Sequence, residues 1–156
     1  MHRHLLWFLL VLSFVGLADS WYLRSHAQAG APLLCTFSSP TDCTKVSESP
    51  YGNILGVPLA TLGVYFYAMV FILTASELRY EVPRIRKSLQ LLAALGVIAS
   101  AYFMFIQVSV IGAVCEYCAL SALTALSIFI TAYFIEPKML APEPVRPRFV
   151  MPPPLS

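Results

Sequence analysis

The feature that most constrains this chain is a set of three long stretches without Asp, Glu, Lys or Arg, at residues 51–76, 88–115 and 117–135. An α-helix of about 20 apolar residues crosses the hydrocarbon core of a bilayer, so each stretch is long enough to span a membrane. The hydrophobic fraction of 58% and the charged fraction of 12% are far from the values of roughly 45–50% and 25% in soluble domains. We therefore expect a protein embedded in a bilayer.

The N-terminal apolar segment, residues 5–23, is predicted to form a fourth helix. It follows a basic N-terminus and contains Asp19. A secretory signal removed at Ala27-Gln28-Ala29 is the other interpretation of such a segment. The polar stretch before that site is long for a signal, which favours a retained helix. In both interpretations the residues that follow lie on the far side of the membrane.

The predicted fold class is therefore all-α, an integral membrane four-helix bundle with transmembrane helices at about 5–23, 57–76, 89–111 and 115–135. Glycines along these segments would let the helices approach closely, namely Gly56, Gly63, Gly96 and Gly112. Pro58 is expected in the first turn of the second helix, where a missing backbone N–H costs little.

The chain is divided into a transmembrane domain, residues 1–135, and a tail, residues 136–156. The tail holds seven of the twelve prolines, which predicts a disordered extension. The long segment at 24–56 is predicted to be an outward loop. The net charge of +2 is too small to indicate a nucleic-acid surface, so no nucleic-acid partner is expected.

The orientation follows from the Lys and Arg residues of the short connections, because basic residues are retained on the cytoplasmic side. The link at 77–87 carries Arg79, Arg84, Arg86 and Lys87, and the tail adds three more basic residues. Both segments are therefore placed in the cytoplasm, with the two termini. The loop at 24–56 and the turn between the third and fourth spans face outward, and the membrane is expected to be the cell inner (plasma) membrane.

All four cysteines, Cys35, Cys43, Cys115 and Cys118, fall on this outward side. Exported surfaces are oxidising, so an even number of thiols gathered there predicts disulfide pairing, with three connectivities open. Cys115 and Cys118 form a Cys-x-x-Cys motif at the start of the fourth span. Residues three apart share one helix face, and a helix N-terminus favours the thiolate form that disulfide exchange requires.

Three kinds of chemistry are compatible with cysteines in this arrangement. Zinc or copper binding is disfavoured because only His26 stands near them in the sequence. Two inert disulfides that stiffen a membrane scaffold are a second interpretation. Exchange between a loop pair and a helical pair is the third, and it is favoured because a donor pair and an acceptor pair lie on the same side.

The order of these motifs resembles the vitamin K epoxide reductase family, particularly its bacterial members. The resemblance is carried by the spacing of Cys35 and Cys43, by Ser49-Pro50-Tyr51-Gly52, by Leu55-Gly56-Val57-Pro58 and by the Cys115–Cys118 motif. It covers about residues 5–135. The family's chemistry implies a four-helix bundle around a quinone of the ubiquinone, menaquinone or phylloquinone type.

The resemblance also implies roles for individual residues. Cys35 would exchange with a separate thioredoxin-fold, DsbA-like partner, Cys43 would pass electrons to Cys115, and Cys118 would reduce the quinone. Ser49 matches a serine that the family keeps near its quinone site, although it is equally interpreted as a cap or turn residue. Asn53 lies near the position of a quinone-contacting asparagine in the vertebrate enzymes, with a different spacing to Gly56. The chain would thus be a thiol:quinone oxidoreductase that promotes disulfide formation in exported proteins.

Two departures from the family pattern affect this prediction. Many bacterial relatives carry a fused thioredoxin-like domain. This sequence shows no such domain, so the chain is expected to use a separate partner. The vertebrate enzymes have a tyrosine four residues after the second cysteine of the helical pair, where this chain has Ala122. That difference weakens the alternative of vitamin K epoxide reduction, in which the thiols would recycle the quinone instead.

Overall fold

The structure is a computed structural model, and it describes residues 2–29, 42–54, 56–80 and 82–135. The helices are α1 (His2–Ala29), the short α2 (Cys43–Glu48), α3 (Leu59–Tyr80), α4 (Pro83–Ile106) and α5 (Glu116–Phe134). A π-helical turn, Gln107–Ile111, extends α4. Two short strands, β1 (Asn53–Ile54) and β2 (Val57–Pro58), pair as an antiparallel hairpin before α3.

The four long helices form a bundle, and each is long and apolar enough to cross a membrane. Only 17–28% of the most apolar window of each helix is buried inside the protein. The remaining apolar surface, which includes Phe14, Ile98 and Phe105, requires lipid around it because a soluble monomer does not expose such an area. The predicted all-α four-helix membrane bundle is confirmed.

The bundle core is built by small and large side chains that fit together across helix pairs. Gly16 of α1 lies directly against the Tyr67 ring of α3, and Gly96 of α4 lies against Phe66, so a Cβ at either glycine would overlap the ring. Tyr67 is fully buried, and its hydroxyl donates to the Ser121 carbonyl of α5 at 2.8 Å. One tyrosine of α3 therefore packs on α1 and is hydrogen-bonded to α5.

Two of the glycines predicted to serve helix packing have another role. Gly56 and Gly112 have φ values of 79° and 65° and lie in turns with open space beside them. This left-handed conformation is the one that glycine adopts without steric cost. Gly63, by contrast, does allow a close approach, to Ser20 of α1.

Several predicted helix boundaries were wrong because helices continue past their apolar part. The first helix reaches Ala29 rather than residue 23, and α4 begins at Pro83 rather than residue 89. Pro83 occupies the first turn of α4, the position where proline is favoured. Pro58 is not in a helical turn as predicted. It pairs with Asn53 in the hairpin, and α3 begins at the next residue.

The turn between α3 and α4 is fixed by an ion pair that charge counting did not predict. The Glu77 carboxylate is completely buried, and Arg86 donates to its Oε1 through Nε at 3.0 Å and also through Nη2. Glu77 therefore belongs to the bundle interior, although the sequence placed it in an exposed link. The tail at 136–156 and the loop segment at 30–41 lie outside the described residues.

Candidate redox site

A cavity of about 770 Å³ opens between the helices and brings the predicted redox residues together. Residues from all four long helices line it, as do α2 and the hairpin. Three cysteines, Cys43, Cys115 and Cys118, are on its wall. Cys35 lies outside the described residues. Cys43 and both cysteines of the helical pair therefore face one shared space.

The Cys-x-x-Cys motif is positioned by the turn that joins α4 to α5. Gly112 ends the π-helical turn in a left-handed conformation, and the backbone reverses toward Cys115, the N-cap residue of α5. Cys115 is thus extended, with φ −90° and ψ 121°, and Cys118 lies in the first helical turn. The fourth span begins within one residue of its predicted start, so Cys115 precedes the helix rather than opening it.

Gln107 holds this turn, and sequence reasoning missed it. Its backbone carbonyl accepts from Ala113 at 3.2 Å, and its side-chain Oε1 accepts from the backbone N–H of Cys115 at 3.0 Å. The same side chain also hydrogen-bonds the Cys118 thiol. Gln107 is 3% exposed. A buried amide that contacts both halves of the motif fixes their relative position, and this amide belongs to the first residue of the π-helical turn.

Cys43 reaches the motif because the short helix α2 docks against the same turn. Asp42 caps α2 by accepting from the Lys45 N–H at 2.9 Å, and its own N–H donates to the Val114 carbonyl at 3.3 Å. Cys43, Val46, Ala113 and Cys115 then form one buried cluster. The loop cysteine is thereby held in contact range of the helical pair.

The cysteines differ in oxidation state. Cys43 is disulfide-bonded, whereas Cys115 and Cys118 are free thiols. The disulfide of Cys43 is therefore with neither member of the helical pair. A disulfide and a dithiol lie beside each other at one site.

The pKa of Cys115 lies below its ordinary value. The main cause is the hydrogen bond from the Cys118 thiol, and backbone N–H groups of Cys118 and Tyr117 act in the same direction. Burial and the charge of Asp19 oppose this effect. Because hydrogen bonds to the charged form favour it, Cys115 is the thiol that ionises more readily.

This arrangement gives a prediction for thiol reactivity. Replacing Cys118 with Ala removes the main hydrogen bond to the Cys115 sulfur, so the Cys115 pKa should rise and its alkylation should shift to higher pH. The initial rate of alkylation of the reduced protein, followed on the Cys115 peptide by mass spectrometry across pH, measures the midpoint. Ser127→Ala, which removes a hydroxyl bonded only within α5, should leave it unchanged. A midpoint that moves to lower pH in the Cys118 variant would contradict the assignment.

The two predicted quinone-contacting residues are placed differently. Asn53 lines the cavity with the cysteines. Ser49 is the C-cap residue of α2, its hydroxyl donates to the Val46 carbonyl at 2.7 Å, and it lines a separate small cleft. Their roles toward a quinone remain predictions. Among the described residues, no group of three metal-ligating side chains is found.

Three polar residues of the cavity wall were not singled out by their sequence pattern. Asp19, Tyr67 and Gln107 come from α1, α3 and the π-helical turn. Each residue lies in an apolar helix, and the direction in which its side chain points depends on how that helix is rotated in the bundle. A polar side chain in a membrane span is itself a signal of function, and Asp19 in particular could have been noted for that reason.

The chain is similar to known proteins over most of its length. The model of the vitamin K epoxide reductase family matches residues 7–133. The chain is also similar to the thiol-disulfide oxidoreductase LTO1 of Arabidopsis thaliana, with 33% identity over 118 residues that cover 71% of this chain. The match spans 31% of that relative, so this chain corresponds to about a third of its length. The family match includes most of α1, the loop helix α2, the turn at Gln107 and the helical cysteine pair, and the chain belongs to the vitamin K epoxide reductase family.

Proposed function

We propose that this protein is a membrane thiol:quinone oxidoreductase that oxidises a thioredoxin-fold, DsbA-like partner on the outer side of the membrane. The observation that carries the proposal is the meeting of a disulfide-bonded Cys43 with the free thiols of Cys115 and Cys118 at one cavity. A disulfide that only stabilises the fold needs no dithiol beside it. Disulfide exchange between two cysteine pairs needs a disulfide and a dithiol close to each other.

The electrons would move through two cysteine pairs. The reduced partner gives two electrons to a Cys35–Cys43 disulfide, which becomes a dithiol as the partner becomes oxidised. A thiolate of Cys43 then attacks Cys115 of an oxidised Cys115–Cys118 pair, and Cys35 closes the loop disulfide again. After this exchange the helical pair is a dithiol and Cys43 is again in a disulfide. The structure has the same combination of states, with Cys43 disulfide-bonded and with Cys115 and Cys118 as free thiols.

The lowered pKa of Cys115 suits it for the middle of this relay. Attack by Cys43 on the Cys115 sulfur expels the Cys118 thiolate and forms a Cys43–Cys115 mixed disulfide. Cys35 then attacks the Cys43 sulfur, and Cys115 leaves as the thiolate that its hydrogen bonds stabilise, since a thiol that ionises readily is a good leaving group. Cys43 and Cys115 belong to one buried cluster, which supports the same pairing. Cys118, inside the first turn of α5, is the sulfur left to face the electron acceptor.

The cavity fits a quinone as that acceptor. Its volume lies in the range of roughly 300–1,000 Å³ for small-molecule sites, and its wall is mostly apolar with a few polar groups, as such sites require. The quinone head group would be held beside Cys118, with the hydroxyls of Tyr67 and Ser121 and the Asn53 amide near it. When bound, it supplies an acceptor for two electrons and two protons.

The orientation proposed for this activity places both termini and the tail at 136–156 in the cytoplasm. The basic residues Arg79 and Arg84 lie at the α3–α4 turn. This turn is at the end of the bundle opposite the cysteine turn, which is the α4–α5 connection that carries Cys115. The positive-inside tendency then puts the cysteine turn on the periplasmic or extracellular side of the inner membrane. That side is where exported proteins acquire disulfides.

The proposal is tested with purified protein, a reduced thioredoxin-fold donor and a short-chain quinone. We expect loss of quinone absorbance with one quinone reduced for each donor disulfide formed, at a rate well above that without enzyme. An inert scaffold would show no enzyme-dependent loss, and that result would overturn the proposal. Product that appears only when vitamin K epoxide is the acceptor would favour the quinone-recycling alternative.

A further inference from the structure

Asp19 is an acidic residue within the first membrane span, on the wall of the cavity that holds the cysteines. It lies ten residues before the end of α1, which is about 15 Å along the helix axis. The other acidic residues of the described spans are placed differently. Glu77 is paired with Arg86, and Glu116 is the first residue of α5.

Asp19 is half-buried and makes no hydrogen bond or ion pair with the described residues. The nearest cation along the helix, Arg24, lies over the Trp21 ring at 5.5 Å. A carboxyl group without a partner is costly inside a bilayer, and residues of this kind mark sites of function. The packing of the bundle does not explain its presence.

The titratable side chains around Asp19 come from every element packed against α1. Asp19 acts electrostatically on Cys115, Cys118, Tyr67 and Tyr117. Tyr22 and His26 lie on α1 itself and are in ring contact with each other, and Glu48 of α2 lines the same cavity. Asp19 therefore lines one cavity with both thiols of the helical pair and with Tyr67 and Tyr117.

The reaction proposed above has to move protons as well as electrons through this space. Two S–H bonds break and one S–S bond forms, while the quinone gains two electrons and two O–H bonds. The electron pair passes from sulfur to the quinone, but the two protons must travel from sulfur to oxygen. An apolar cavity offers few groups that can accept a proton and release it again.

Resting on the proposed function, we propose that Asp19 carries these protons from the thiols of the helical pair to the bound quinone. Its carboxylate accepts a proton from sulfur and gives it to a quinone oxygen, twice in each turnover, and returns to its starting form. No electron passes through it and no further reactant is needed.

The proposal can be tested with a variant that removes the charge of Asp19. Loss of the charge and loss of proton transfer should have opposite effects on the rate of quinone reduction. The negative charge raises the Cys115 pKa, so Asp19→Asn should move Cys115 alkylation of the reduced, quinone-free protein to lower pH. If electrostatics were the whole role, the variant would therefore reduce a quinone at least as fast as the wild type. If Asp19 carries protons, the variant should instead reduce the quinone more slowly than the wild type.

We expect Asp19→Asn to slow single-turnover quinone reduction by about a hundredfold, the lower range for loss of acid–base catalysis. Quinone affinity, measured by absorbance titration, should change by less than about twofold, and Asp19→Glu should recover much of the rate because it keeps a carboxyl group. A variant as fast as the wild type overturns the inference while leaving the proposed function intact, and so does one that is slow because it no longer binds the quinone. Wild-type protein that reduces no quinone overturns the proposed function itself.

Discussion

Replacing Cys118 with Ala is expected to lower quinone reduction by on the order of a thousandfold or more, as the loss of a reacting nucleophile does in other enzymes. Cys115 would keep its thiol but could no longer close a disulfide within the helical pair. The two electrons of the pair could then not leave together. The measurement is quinone absorbance with a small dithiol as donor, after subtraction of the direct reaction between dithiol and quinone.

Cys35→Ala provides the matched control, since it also removes one cysteine of four. A small dithiol should reach the helical pair directly, so turnover with that donor should be kept. Turnover with the thioredoxin-fold donor should fall strongly, because the loop pair can no longer receive its electrons. Undiminished turnover in the Cys118 variant would show that another group reduces the quinone. Equal losses with both donors in the Cys35 variant would refute the shuttle role.

The bundle was predictable because the length of a charge-free stretch is set directly by the thickness of a bilayer. The start of α5 was predicted to within one residue, since Glu116 and the cysteine motif mark it. The C-terminal end of α1 and the start of α4 were not, because these helices continue beyond their apolar parts to include Arg24 and Arg84. The hairpin before α3 was missed because two residues per strand leave no periodic pattern.

The meeting of Cys43 with the helical pair was predictable from the topology, because the pattern of Lys and Arg residues predicts that the two connections with cysteines share one side of the membrane. The groups that support them were not. Gln107 reaches the motif through a π-helical turn, and Asp19 depends on how α1 is rotated in the bundle. Such positions are decided by packing between helices, for which hydrophobic pattern alone carries little information in a membrane span.

The Glu77–Arg86 ion pair was likewise not predictable from the sequence pattern. Breaking this pair is expected to have the largest effect on stability. Arg86→Met should lower the free energy of unfolding by about 3–5 kcal/mol, because the completely buried Glu77 carboxylate would lose its countercharge. The Glu77 Oε2 atom already has no hydrogen-bond partner in the described structure, so no second donor is in place to replace the guanidinium. Thermal or denaturant unfolding in detergent, followed by helical circular dichroism, measures the loss.

Arg84→Met tests whether that loss comes from the ion pair rather than from charge at the α3–α4 turn. Arg84 is exposed in the same first turn of α4, so its replacement should change stability by no more than about 0.5 kcal/mol. The double variant Glu77→Gln with Arg86→Met should recover much of the loss, since the neutral amide costs far less to bury than an unpaired carboxylate. Equal stability of the two single arginine variants would mean that the turn is held by helix packing, with the buried pair contributing nothing measurable.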